Sequence, residues 1–352
     1  MTTPTFKERA TGAIMGAFVG DALGLGPHWY YNLEELRRDH GDWIDNYTDP
    51  KPDRYHAGMK AGQISQSGII LSMLLQSLVT KGEYDQHDFC KRMDIDLFPL
   101  LNGSPEIGPG GYTSQSIRET WELRVKEELP WGKVAGHTDN TEAAERVLAL
   151  AVRYALKPRK LAETIVNNTM LFQSDEVVVA MTLAYGAVLG LLIQGHSLDD
   201  EISGKLMGLV RSNDLPFHAV TVEGSEAPGN GRFASPDALL TPSSIAKAAF
   251  DKDIRIEPAS KVALLYGLPC AVYHQFPAAY YLAARFKDNF ESAVLHAING
   301  GGQNMARAML TGALVGAQTG FQGIPERFID GLEDADGLYK LAQEVADQAA
   351  EA

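Results

Sequence analysis

Asp21 is the first side chain in this sequence that invites chemistry. It follows a run of apolar residues punctuated by Gly12, Gly16 and Gly20, where an unpartnered carboxylate would be costly. It is therefore either a hydrogen-bonded structural group or the rim of a cleft. Pro27 then places His28, Trp29 and Tyr30 in one turn. An imidazole there can exchange protons near neutral pH, and the large rings can stack on a base or sugar. The same aromatics can equally close a core. Gly108-Pro109-Gly110-Gly111 has the backbone freedom to bring N–H groups against a phosphate, although a Pro-Gly turn explains it as well. His137, His274 and His296 have no metal-ligand spacing and read as ordinary half-buried histidines.

The elements that must position these groups are helical. Strand-like alternation is scarce, whereas apolar residues three and four apart recur, commonly behind a Ser, Thr, Asp or Asn that can cap a first turn. The pattern predicts helices over 6–25, 33–39, 67–81, 86–100, 114–127, 141–156, 158–173, 175–194, 198–211, 236–250, 268–286, 289–299 and 305–320. Asp139, Asn140 and Thr141 read as a cap, and Asp175 with Glu176 as an acidic first turn. From Asn213 to Asp237 Gly, Pro, Ser and Glu dominate and no periodicity survives, as in a surface loop. No repeat is evident. The fold class is all-α, a single multi-helix domain over residues 1–352.

Glycine appears at a spacing of four in both the first helix and the last strong one, at Gly12, Gly16, Gly20 and at Gly312, Gly316, Gly320. Such a stripe lets two backbones approach, and because glycine costs about 1 kcal/mol in a helix it needs that compensation. A stripe of this kind is packing, not a site.

The formal net charge of −14 opposes a polyanion, so no nucleic acid is expected as a partner. Two cysteines, Cys90 and Cys270, form neither a metal knuckle nor a disulfide framework, which fits a reducing compartment, the cytoplasm. The start of the chain lacks the pattern of a cleaved signal. The apolar run 177–193 would rise about 26 Å, short of a roughly 30 Å hydrocarbon core. It reads as a buried central helix, so no membrane partner is expected.

Gly16-Ala17-Phe18-Val19-Gly20-Asp21-Ala22-Leu23-Gly24 and Gly301-Gly302-Gln303-Asn304, running into Gly312-Ala313-Leu314-Val315-Gly316-Ala317, resemble the terminal signatures of ADP-ribosylglycohydrolases. Gly108-Pro109-Gly110-Gly111-Tyr112-Thr113 is similar to that family's glycine-rich loop, and 268–286 followed by Phe290-Glu291-Ser292-Ala293 to the segment before its last motif. The run from Pro27 to Leu36 looks closer still to the branch of J1 crystallins and selenoprotein J relatives. The resemblance spans most of the chain and implies an orthogonal bundle of helices.

Active family members resemble one another in Thr-Asp-Asp-Thr and Gly-Gly-Asp-Thr-Asp-Thr motifs that together hold two divalent cations. Here the corresponding positions read Ile64-Ser65-Gln66-Ser67 and Gly301-Gly302-Gln303-Asn304-Met305-Ala306. Neutral amides and a thioether offer little charge to offset the dehydration of a hard cation. The expectation is no metal centre and no cofactor. Ser65, Gln66, Ser67, Gln303 and Asn304 either cap helices or line a polar pocket together with Trp29, Gly110, Gly111 and Tyr112.

The resemblance implies a small-molecule ribosyl or nucleotide-like ligand. With Asp21, His28 and Glu106 as candidate catalytic groups, a metal-independent glycoside hydrolase acting on an N- or O-ribosyl bond is one reading. The alternative is a catalytically inactive ligand-binding or crystallin-like structural protein. Sequence does not choose between them, and it is silent on oligomeric state.

Overall fold

The computed structural model describes residues 3–218, 233 and 237–351. Among these residues there are sixteen α-helices and no sheet, the expected all-α class. Their order is α1 (Phe6–Leu25), α2 (Leu33–His40), α3 (Gln66–Lys81), α4 (Gln86–Arg92), α5 (Gln115–Trp121), α6 (Glu142–Arg153), α7 (Pro158–Thr169) and α8 (Glu176–Ile193). There follow α9 (Ile202–Arg211), α10 (Asp237–Phe250), α11 (Val262–Tyr266), α12 (Val272–Arg285), α13 (Phe290–Ile298), α14 (Asn304–Thr319), α15 (Glu326–Asp330) and α16 (Ala335–Ala350). The loop expected over 213–237 lies largely outside the described residues.

The centre of the molecule is the antiparallel pair α1 and α14. A Cβ on Gly12 would stand 2.4 Å from the carbonyl oxygen of Gly316, one on Gly16 2.2 Å from that of Gly312, and one on Gly20 2.2 Å from that of Ala308. The stripes thus face each other, and each glycine is required because its neighbour is backbone and cannot move aside. α1 starts in a capping box, Thr5 accepting from the Glu8 amide while Glu8 reaches back to the Thr5 amide. From residue 10 to its end it is wholly buried. α8 is apolar enough to resemble a membrane span, yet most of it is buried within the protein. The Tyr185 hydroxyl donates to the Leu310 carbonyl at 2.7 Å, which ties it to α14. Most of the buried apolar side chains among the described residues form one connected cluster.

The observed helices differ from the expected ones in several places. The segment 86–100 continues past α4 as a π turn and a short 3₁₀ turn, since Pro99 cannot donate to a regular ladder. Residues 268–271 stand outside α12, with Pro269 at the break. α16 was not expected at all.

Candidate functional site

A cavity of about 400 Å³ opens where the starts of α3 and α6 approach the start of α14. Each wall is set by local chain chemistry. Ser65 caps α3 with its hydroxyl, which accepts from the Ser67 amide and donates to Asp21 Oδ1 at 2.6 Å; the Ser65 amide donates to Asp21 Oδ2 at 2.8 Å. Asp21 is therefore the clamp that holds the start of α3 onto α1. It is fully buried, and burial pushes its carboxyl up to about 6 against the opposing bonds from Ser65.

Gln66, the first residue of α3, donates from Nε2 to the Pro109 carbonyl at 3.2 Å and to Thr113 Oγ1 at 3.0 Å. The glycine loop lies directly on this turn. Gly110, at φ 80, brings its α-carbon so close that a Cβ would stand 2.0 Å from the Gln66 amide nitrogen, and Gly111, at φ 82, backs onto the His56 ring. These glycines serve close packing of the loop; Tyr112, the next residue, reaches the cavity.

α6 contributes two acids, Glu142 and Glu145, just beyond the Asp139-Asn140-Thr141 stretch expected as its cap. Thr141 makes no side-chain cap; its hydroxyl instead donates to Glu145 Oε1 at 2.6 Å. Glu142 pairs with Arg146 at 2.6 Å, both buried, and accepts from Ser116 at 3.2 Å. Burial pushes Glu145 up to about 7; the Ser67 and Thr141 hydroxyls oppose this, and the charges of Glu142 and Asp21 add to it.

α14 brings Gln303. Its Oε1 accepts from Trp29 Nε1 and lies 2.8 Å from His28 Nε2. His28 Nδ1 lies 2.7 Å from His56 Nε2, and His56 Nδ1 3.0 Å from the Gly110 carbonyl. Burial lowers both imidazoles, His56 to about 4. Two neutral rings carry two N–H protons for these three contacts, so one contact in the row lacks its hydrogen. Trp29 adopts φ 63, strained for a non-glycine residue, because the Trp29 amide donates to the Gly302 carbonyl and the Gly302 amide to the Tyr30 carbonyl. Arg307, fully buried, holds the preceding loop through the carbonyls of Ala297 and Gly301 and through Gln275. The rings of Trp29, Tyr55 and Tyr112 pack at 4.5 to 5.1 Å and form an aromatic wall.

Of the residues expected to bind ligand, Trp29, Ser65, Gln66, Ser67, Tyr112 and Gln303 line the cavity. Gly110 and Gly111 stand behind it, and Asn304 is buried with its Nδ2 on the Ile298 carbonyl. Of the expected catalytic groups, Asp21 lies beneath α3, His28 lines a smaller cavity of about 250 Å³ bordered also by Trp29, and Glu106 is exposed outside the lining. Glu142, Glu145, Tyr55 and Arg118 line the site without having been singled out.

The ADP-ribosylglycohydrolase family model matches residues 2–352. The chain belongs to the ADP-ribosylglycohydrolase family. It is 23% identical over 367 residues to Crystallin J1A of Tripedalia cystophora, covering 98% of each chain. It is 22% identical over 339 residues to an uncharacterized protein of Archaeoglobus fulgidus, covering 96% of this chain and 95% of that one. Among solved structures it is similar to an ADP-ribosylglycohydrolase-related protein complex, with TM-score 0.63 and 17% identity over 98% of this chain and 99% of the other. The positions expected to correspond to the family's metal motifs carry few anionic donors. Ser65 is committed to Asp21, Gln66 and Gln303 are neutral amides, and Met305 is a thioether. Among the described residues no three His, Cys, Asp or Glu side chains are grouped to hold a metal. This set does not fit a pair of hard divalent cations, which call for several anionic oxygens on each ion.

Proposed function

We propose that this chain is a divergent ADP-ribosylglycohydrolase-like hydrolase that takes a ribosyl or ADP-ribosyl-like glycoside without the family's two-metal centre. The observation that carries this reading is convergence: Ser65 to Ser67 and Gln303, from opposite ends of the sequence, share one cavity with the buried acids Glu142 and Glu145. Cleavage of a glycoside through an oxocarbenium-like state needs a carboxylate and a proton route. Glu145 is the acid–base group in this reading, exchanging a proton with the attacking water, and Thr141 and Ser67 orient it. Asp21 is a positioning residue acting through Ser65. Trp29 and Tyr112 stack on the ligand's ring, and Arg118 meets an anionic portion. The setting is the cytoplasm, where two unpaired thiols persist.

Isothermal titration with ADP-ribose, once with Mg²⁺ and once with EDTA, tests the reading. Binding indifferent to EDTA is expected; no binding in either condition removes the ribosyl pocket. Turnover of ribosyl conjugates in EDTA, lost in Glu145→Gln, separates the hydrolase from the second reading, a catalytically inactive ligand-binding or crystallin-like protein. That second reading draws on the likeness to Crystallin J1A.

A further inference from the structure

Where the starts of α3 and α6 line the cavity, two buried acceptors lack donors among the described residues. Gln66 is 2% exposed, and because its amide nitrogen faces the Pro109 carbonyl its orientation is fixed. Its Oε1 is left without a partner, and so is Glu142 Oε1. Among the lining residues these are the two unpartnered buried polar atoms, and both accept. Arg146 pairs with Glu142 through Nη1 and bonds Asn168 through Nε and Nη2. Among the described residues Glu145 has no cationic partner. Arg118, the one cation among the described lining residues, is bonded through Nε to the Thr113 carbonyl and acts on Tyr112.

We propose that this part of the cavity binds an organic cation bearing N–H donors, an ammonium or amidinium group, with Glu145 as counter-charge and Glu142 Oε1 and Gln66 Oε1 as further acceptors. A bare metal ion suits the site poorly, because the acids are not grouped for coordination, whereas N–H groups spread over a ligand can reach separate acceptors. The wall of Trp29 and Tyr112 adds attraction for a cation at its ring faces, and the net charge of −14 draws cations toward the protein. A cation there holds Glu145 ionised, the form that activates water. The inference rests on the proposed reading only in taking this cavity as a ligand site.

Titration calorimetry at constant ionic strength decides it, using butylammonium, acetamidinium, tetramethylammonium and Mg²⁺ chlorides. Butylammonium or acetamidinium is expected to bind one to one with Kd in the millimolar range, on the order of what so few atoms provide. Tetramethylammonium, a cation with no N–H, is expected to bind at least about tenfold more weakly. Glu145→Gln is expected to weaken the better ligand about tenfold and Glu145→Asp to retain it, with unfolding curves recorded for both. If neither variant folds, the contrast between butylammonium and tetramethylammonium still decides. No binding at about 30 mM, equal binding of tetramethylammonium, or displacement by equimolar Mg²⁺ overturns the inference. ADP-ribose binding without cation binding would sink this inference and spare the proposed function; the converse would spare this one.

Discussion

Glu145 keeps its proton to about pH 7 in the fold, against an ordinary value of 4.5. Between those values the folded chain binds more protons than the unfolded one, so stability falls as pH rises. The contribution is complete below the unfolded value and lost as pH climbs through 7. Asp21, raised from 3.8 to about 6, acts in the same direction over a lower window. His28 and His56, held below 6.5, oppose both: their contribution is present above 6.5 and lost as pH falls. Glu145→Gln removes one member of this balance. Relative to the parent it is expected to gain on the order of 2–3 kcal/mol between about pH 5 and pH 8. Chemical denaturation at both pH values measures it, and a pH-independent difference would mean that Glu145 is ionised throughout. In sequence, an acid behind a glycine stripe announced that Asp21 needs a partner, but nothing local named Ser65. Glu142 and Glu145 were hidden differently. Acids in a first helical turn usually face water and favour the helix dipole, and only the packing of α3 and α5 over this turn makes them pocket residues.

At the scale of elements, the glycine stripes were readable because their spacing matches a helix face, and α1 was expected with the bounds it has. What spacing does not reveal is which surface a stripe meets. The answer, that Gly16 and Gly312 meet across the antiparallel pair, gives a sharp expectation. Gly16→Ala places a methyl group 2.2 Å from the Gly312 carbonyl oxygen and should destabilise by about 3 kcal/mol. Gly204→Ala, on α9 with open space around it, should stabilise by up to about 1 kcal/mol. Thermal unfolding of the two variants checks the contrast. α16 escaped the sequence reading because its buried face rests largely on Ala342, Ala346 and Ala349, too weakly apolar to outweigh its polar residues. It also begins at Asp334 in a left-handed conformation without a side-chain cap, so the usual start signal is missing.

At the scale of the molecule, the cavity has no private scaffold. Its residues come from Trp29 beyond α1, the start of α3, the loop before α5, the start of α6, and α14, and these elements are arranged around the backbone contact of α1 with α14. The carboxylate of Asp21 clamps α3 to α1, and Arg307 of α14 holds the loop that fixes Gln303 and Trp29, so buried polar groups couple the pocket to the core. With one connected apolar cluster beneath it, the pocket cannot come apart while the centre stays folded. Fluorescence of the tryptophans, with Trp29 at the pocket and Trp43, Trp121 and Trp131 elsewhere, and far-ultraviolet circular dichroism should therefore report the same midpoint in urea. Gly16→Ala, remote from the cavity lining, should lower both midpoints together. An earlier fluorescence transition, retained in Trp43→Phe, Trp121→Phe and Trp131→Phe but absent in Trp29→Phe, would show that the pocket opens independently of the α1–α14 core. The dependence of its geometry on that core would then have to be abandoned.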